Sequence, residues 1–449
     1  MFPWEYGRGL VVLVVSASRI LHSVAGSAIV SVPGGKLQDC SMSGCANTQG
    51  EVMKSLVNIA VSAVTMLSLG VMSPAQRYTQ TNLVSNTSGV APITDPNLDD
   101  AWGLSRASSG DWWVSDNDSG VSTLYAGNGT KNALTVTIPS VNPKKNPKGS
   151  PTGTIANGST TDFLIAPNTP AVFLFVTLDG GIAAWNPNFA ISQGGAAPST
   201  NAVLVSKSSD GSSYTGITSS FIKDKRYLYV ANFAKSRVDV FDSSFHRVTL
   251  HEDSDHTYDF NDSNGRQRNE PFVDERLPKD FAPFNVQAIG PDIVVTYGLL
   301  VEGQHVAAGG PGLGYVDVYT SSGRLLTRLE SGSQLNSPWG VTLAPLDFGR
   351  FSHALLVGQF GGGGSTPSAG TIAAYDLATG EFLGTVEDAT GRPIVVPGLW
   401  SLSPGNVSPT NLDSAAAPAA EVYFTSGTSR SLFGYFTAVS TDLTEGNAQ

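Results

Sequence analysis

Past residue 76 the apolar positions fall in short runs set between turn residues, and the runs recur in groups of four. The clearest group has Pro338-Trp339-Gly340-Val341 after an Asn336-Ser337 turn, then Ala354 to Phe360, Thr371 to Asp376 and Phe382 to Val386. Short apolar runs bounded by Gly, Pro, Asn and Ser predict β-strands joined by tight connections. The grouping recurs about six times at intervals of roughly 55–80 residues, which points to a repeat architecture. Two copies are close: Ile182-Ala183-Ala184-Trp185 against Ile372-Ala373-Ala374-Tyr375, and Val238-Asp239-Val240-Phe241 against Val316-Asp317-Val318-Tyr319.

The last group (Gly398 to Leu402, Glu421 to Thr425, Leu432 to Phe436) lacks a fourth strand, while Thr81-Asn82-Leu83-Val84 is a spare strand before the first. Pairing the two chain ends resolves both. The expectation is an all-β fold, a six-bladed β-propeller of four-stranded antiparallel blades, closed by the N-terminal strand joining the last blade. Blades covered on both faces explain why the strands read as continuous apolar runs rather than clean alternation. Gly103, Gly153, Gly216 and Gly340 are expected where inner strands crowd the axis. Trp102, Trp339 and Trp400 are expected to fill the wedges between blades, where large rings bury most area.

Composition shifts this picture toward an exported protein. Charged residues make up 14% of the 449, well under the roughly 25% of an ordinary soluble domain, with Ser, Thr, Asn and Gly taking the surface role. A net charge of −11 repels nucleic acid and anionic membrane, so neither is an expected partner. Met53-Lys54, the apolar stretch Leu56 to Val71 and Ser73-Pro74-Ala75 read as a signal peptide with its cleavage site. The stretch is shorter than the roughly 20 residues that span a membrane. On this reading residues 1–52 are over-extended translation and disordered, 53–75 the signal peptide, and 76–449 one propeller domain, secreted or periplasmic and monomeric. Cys40 and Cys45 both precede Met53, so the mature chain has no disulfide and no cysteine-held metal.

Taken together, Thr94 to Leu98, Trp113 to Asn117, Gly149 to Gly153, Ala282 to Asn285, Gly314 to Val318 and Val396 to Trp400 form a set of landmarks. With them the mature chain resembles a family of uncharacterised exported bacterial β-propeller proteins, one departure being Ala101 where proline usually precedes the first Trp-Gly. The resemblance implies the propeller fold; the family's function is itself unassigned. Some of its members end in a C-terminal sorting segment, which Thr437 to Gln449 lacks.

Catalytic signatures are missing. Gly363-Gly364-Ser365-Thr366-Pro367 has proline where a nucleophile elbow needs glycine, and Gly310-Pro311-Gly312-Leu313-Gly314 leads into a strand, not a helix. The acidic stretch Glu252 to Gly265 fails the EF-hand template, since Phe260 falls on the first ligand position and Pro271 on the last. An irregular site for calcium or another divalent cation stays open there, against the plainer reading of a solvated loop.

The fold itself suggests one constellation. Loops leaving second strands and loops leading into inner strands share one face of a propeller. That face gathers Asp99, Asp116, Asn117, Asp179, Asn232, Asn285, Asn336 and Gln359 around the axis, with His305 on the long Leu299 to Leu313 connection above them. Such a polar ring suits a small polar molecule or a divalent cation, although Asn and Asp are also favoured simply as turn residues. The function read from the sequence is therefore an exported binding or interaction propeller with a polar axial site for a small polar molecule or an extracellular protein or glycan. The alternative is a metal-assisted hydrolase or lactonase-like enzyme, its axial divalent cation held by acids such as Asp99, Asp100, Asp116 and Asp179.

Overall fold

A computed structural model describes residues 76–250, 271–363, 366–405, 420–428 and 430–439. The signal-peptide stretch, the acidic stretch with His251 and His256, and the end of the chain past residue 439 lie outside the described residues.

Six sheets form the propeller. Each of blades one to five is a four-strand antiparallel sheet running from the axis outward in chain order, with a small hairpin, Leu164–Ala166 and Thr169–Pro170, inserted after the first strand of blade two. Blade one, for example, has Ala101–Ser105, Trp112–Asp116, Val121–Tyr125 and Lys131–Thr137. The inner strands of the next four blades are Pro151–Ala156, Tyr214–Ile222, Phe281–Ile289 and Pro338–Leu343. Blade six holds Leu399–Pro404, Glu421–Ser426 and Leu432–Ala438, and takes its fourth strand, Tyr78–Ser85, from the other end of the chain. That strand pairs antiparallel with Leu432–Ala438, and Ile93–Thr94 adds a short parallel strand outside it. The inner strands pack on one another in ring order, blade six returning to blade one. Closure is as the chain ends predict.

The first three strands of blade one are buried at every position, while outer Lys131–Thr137 is largely exposed or half-exposed. A strand covered by neighbouring blades on both faces has no side for polar residues, so its sequence loses the period of two. Six of the apolar clusters among the described residues are wedges between adjacent blades. They are filled by residues such as Trp113 with Phe175, Tyr229 with Tyr319, and Tyr125 with Phe433.

A seventh cluster corrects one expectation. Trp102, Trp339 and Trp400 do not fill wedges; they meet one another and Phe284 at the axis. The cause is a register slip shared by all six inner strands, each of which breaks its pairing with the second strand around its third residue. At this bulge the backbone approaches the next blade. A Cβ on Gly103 would sit 2.4 Å from the Thr152 carbonyl oxygen, and one on Gly340 would sit 2.3 Å from that of Trp400. At these two positions only glycine fits, Asn285 and Ser401 hold the corresponding place in blades four and six, and the residue just before is turned to the axis.

Candidate functional site

The axis has two ends, an upper mouth where the inner strands begin and a lower mouth where they finish. Two repeated positions build the upper one. The position before the bulge supplies Trp102, Phe284, Trp339 and Trp400, and the position just after the second strand supplies Phe233, Phe360 and half-buried Leu178. These rings form one plug. Trp400 is stacked between Trp102 and Phe360, with centroids 3.5 and 3.9 Å away, and Trp339 stands edge-on to both Trp102 and Trp400. The long connection between the second and third strands of blade four covers the plug with Leu300, Val306 and Ala307, while Glu302 and His305 on it point to solvent as exposed residues.

Polar residues of this mouth hold the plug in place. Asp100 accepts hydrogen bonds from Trp102 Nε1 at 2.7 Å, Trp400 Nε1 at 3.3 Å and the Thr428 amide at 3.2 Å. Burial raises its pKa, and the bond from Trp102 opposes the rise. Trp339 Nε1 donates to the Thr215 carbonyl at 3.0 Å.

The predicted ring residues each have protein partners. Asn336 and Gln359 are joined directly, the Asn336 amide donating to Gln359 Oε1 at 2.8 Å. The Asn336 side chain also takes the Gly310 amide at 2.7 Å and donates to Thr366 Oγ1 and the Pro367 carbonyl. Asn117 donates to the Pro151 carbonyl at 3.0 Å and Asn285 to that of Trp339 at 2.8 Å, so both stitch one blade to the next. Asn232 donates to Ser212 Oγ and Asp239 Oδ2, inside its own blade. Asp179 accepts from Ser140 Oγ at 2.7 Å and the Val141 amide at 2.9 Å, and Asp99 accepts from Asn86 at 3.1 Å, out by the closing strand. Asp116 is fully buried and accepts from the Thr123 amide and hydroxyl, at 2.9 and 2.8 Å. Among the described residues no three of His, Cys, Asp or Glu gather as a metal ion would need.

The lower mouth is different in kind. There the ends of four inner strands surround a cavity of about 410 Å³. Blade one contributes Arg106 and Ser108, blade two Asn157 and Gly158, blade three Ser220 and Phe221, and blade four Ala288, with Arg226 reaching in from the second strand of blade three. Among the described residues no carboxylate lines it. The Arg106 guanidinium lies over the Trp112 ring at 4.8 Å and that of Arg226 over Phe221 at 4.4 Å. Burial pulls the pKa of both arginines down, and Asp162 partly offsets this for Arg226. None of these residues stood out in the sequence. The signal was there to be used: Arg106 and Asn157 each directly follow an inner strand, at positions that must line the far end of the axis.

No protein-family model matches the chain. Two uncharacterized proteins of Acanthamoeba polyphaga mimivirus are similar to it. One is 26% identical over 72% of this chain and 72% of its own length, the other 27% identical over 72% and 77%. The expected resemblance to an exported bacterial family is thereby corrected, since these relatives are viral. Among solved structures, that of a streptogramin B lyase covers 81% of this chain and 98% of its own at 9% identity, with a TM-score of 0.43.

Proposed function

We propose that this chain is an exported binding propeller, secreted or periplasmic and monomeric, that holds a small polar ligand at the lower mouth of its axis. The observation that carries this reading is the 410 Å³ cavity there, enclosed by four blades and lined by arginine, serine and asparagine from three of them. Polar groups converging in a concave site on rigid strand ends are what recognition of a small molecule needs. At the upper mouth the axis is filled by rings and the amides are engaged with the protein, so that face is better suited to an extracellular protein or glycan resting on its loops. A metal-assisted hydrolase or lactonase needs acids aimed at one point. Asp99, Asp116 and Asp179 serve three separate sets of partners instead.

The test is a thermal-shift screen of small polar metabolites on the wild type and on Gly158→Trp. A Cβ on Gly158 meets nothing within 4 Å and its φ is not positive, so the indole can occupy the cavity without straining the fold. Hits on the wild type should vanish in the variant. Hits that persist there would move the binding site elsewhere.

A further inference from the structure

We infer that the ligand of the lower cavity is an oxyanion, a small carboxylate or phosphate ester gripped by Arg106 and Arg226. The inference rests on the reading of that cavity as a binding site. Two guanidinium groups line one cavity to which the described residues contribute no acid. Neither has a hydrogen bond to the described protein, and the Nε of each is buried without a hydrogen-bond partner. Arg226 has only a loose ion pair, its Nε 3.5 Å from Asp162 Oδ2, and that carboxylate already accepts from Ser159 Oγ at 2.8 Å. Among the described residues Arg106 has no carboxylate within 4 Å.

An arginine carries five donors and cannot shed its charge. Placing two of them half-buried at one cavity leaves donors unsatisfied and like charges facing the same space, which is costly unless something negative sits between them. Nothing about the blades asks for this. Small apolar residues would close the strand ends equally well, as Ala156 and Ala288 do on the same wall. The aromatic rings beneath fix each guanidinium's plane, Trp112 under Arg106 and Phe221 under Arg226. A planar guanidinium held by its face presents its N–H edge outward, the geometry that takes a carboxylate or phosphate by paired bonds. Ser108 and Ser220 add neutral hydroxyls for the uncharged part of the ligand, while the Asn157 amide is held by the Ser159, Asp162 and Ala171 carbonyls and shapes the wall. The chain's net charge of −11 makes the contrast sharper, because a basic cavity on an acidic protein is a local exception.

The experiment is calorimetric titration of the purified protein with inorganic phosphate, with citrate and with glucose, on the wild type, Arg106→Gln, Arg226→Gln and Gly158→Trp. Circular dichroism and melting temperature verify that each variant folds; should Arg106→Gln not fold, Arg106→Lys keeps the stem over Trp112 and the charge but loses the fork. Phosphate or citrate should saturate one site on the wild type, and the tighter of the two names the oxyanion. Each arginine variant should bind it about 10- to 100-fold more weakly, the size expected for a charge-assisted hydrogen bond. Glucose should not saturate.

Anion binding that is unchanged in both arginine variants, or no saturable anion binding by the wild type at millimolar concentration, overturns the inference. A neutral ligand that is blocked by Gly158→Trp but indifferent to both arginines would do the same while leaving the binding-propeller reading intact. Loss of nothing in Gly158→Trp would sink both.

Discussion

The Trp102 indole lies on that of Trp400, ring centroids 3.5 Å apart and planes 20° from parallel. One ring comes from the first blade and the other from the last, so the stack bridges the seam at which the propeller closes. Asp100 secures it by accepting from both indole nitrogens. To do so its backbone adopts φ +48°, a left-handed conformation that Asp tolerates better than most residues. The seam is therefore held twice, by a strand exchange at the rim and by this clasp at the axis.

Trp339 leans edge-on against that stack and is 3% exposed, with its Nε1 tied to Thr215 across the axis. Trp339→Ala should lower the unfolding free energy by about 3–5 kcal/mol, the usual cost of an emptied aromatic site plus a carbonyl left unbonded. The urea midpoint measures this. A midpoint equal to wild type would mean that the ring is dispensable and the plug relaxes around the loss.

Removing Tyr78–Ser85 should hurt far more than removing residues 443–449. The strand covers the edge of Leu432–Ala438, and buried Tyr78 also reaches blade five, its hydroxyl donating to the Phe348 carbonyl at 3.0 Å. Without it, that edge is free to pair with another chain. Light scattering and melting temperature of the two truncations decide the matter. An N-terminal deletion as monomeric and heat-resistant as the C-terminal one would show that closure contributes little.

Much of this architecture could be read from the chain because propeller geometry repeats. The Trp-Gly pairs fix where inner strands begin, and the unpaired last blade announces closure. What the sequence hid was direction. Trp339 in a strand is equally compatible with a wedge or with the axis, and only the bulge at Gly340, forced by the Trp400 carbonyl of the next blade, selects the axis. The ring residues show the same ambiguity. Asn285 and Asn117 lie near the axis as their place in the repeat predicts, yet their amides are used to join blades, and a turn position does not reveal where an amide points. Arg106 and Arg226 were hidden for another reason: they come together only when blades one and three do.

Export rests on sequence alone, on the pattern from Met53 to Ala75. Expressed from a gene opening at Met53 with the native leader, the protein should appear outside the cytoplasm with a new N-terminus near Gln76. Edman or mass-spectrometric sequencing of that material reads the cut. Protein retained in the cytoplasm with Met53 still in place would remove the signal-peptide assignment and with it the proposed location.

Asp116 gives the clearest pH dependence. It is fully buried, one carboxylate oxygen accepts both bonds from Thr123, and the other has no partner. The nearby cation, Lys131, is committed to Asp95, its Nζ 2.7 Å from that carboxylate, which also accepts from Tyr125. Burial thus raises the Asp116 pKa well above the ordinary carboxylate value of 3.8, with the Thr123 bonds opposing and Asp95 adding to the rise. The folded protein keeps this proton to higher pH than the unfolded chain does, so more protons are bound in the native state and stability falls as pH rises. The contribution is fully present below pH 3.8 and is lost progressively as pH climbs through the raised value. Asp116→Asn cannot ionise and escapes that loss. Its melting temperature minus that of the wild type should therefore grow from acid toward neutral pH. A difference that is flat or shrinks over that range would show that the buried carboxyl is charged and compensated in the folded protein.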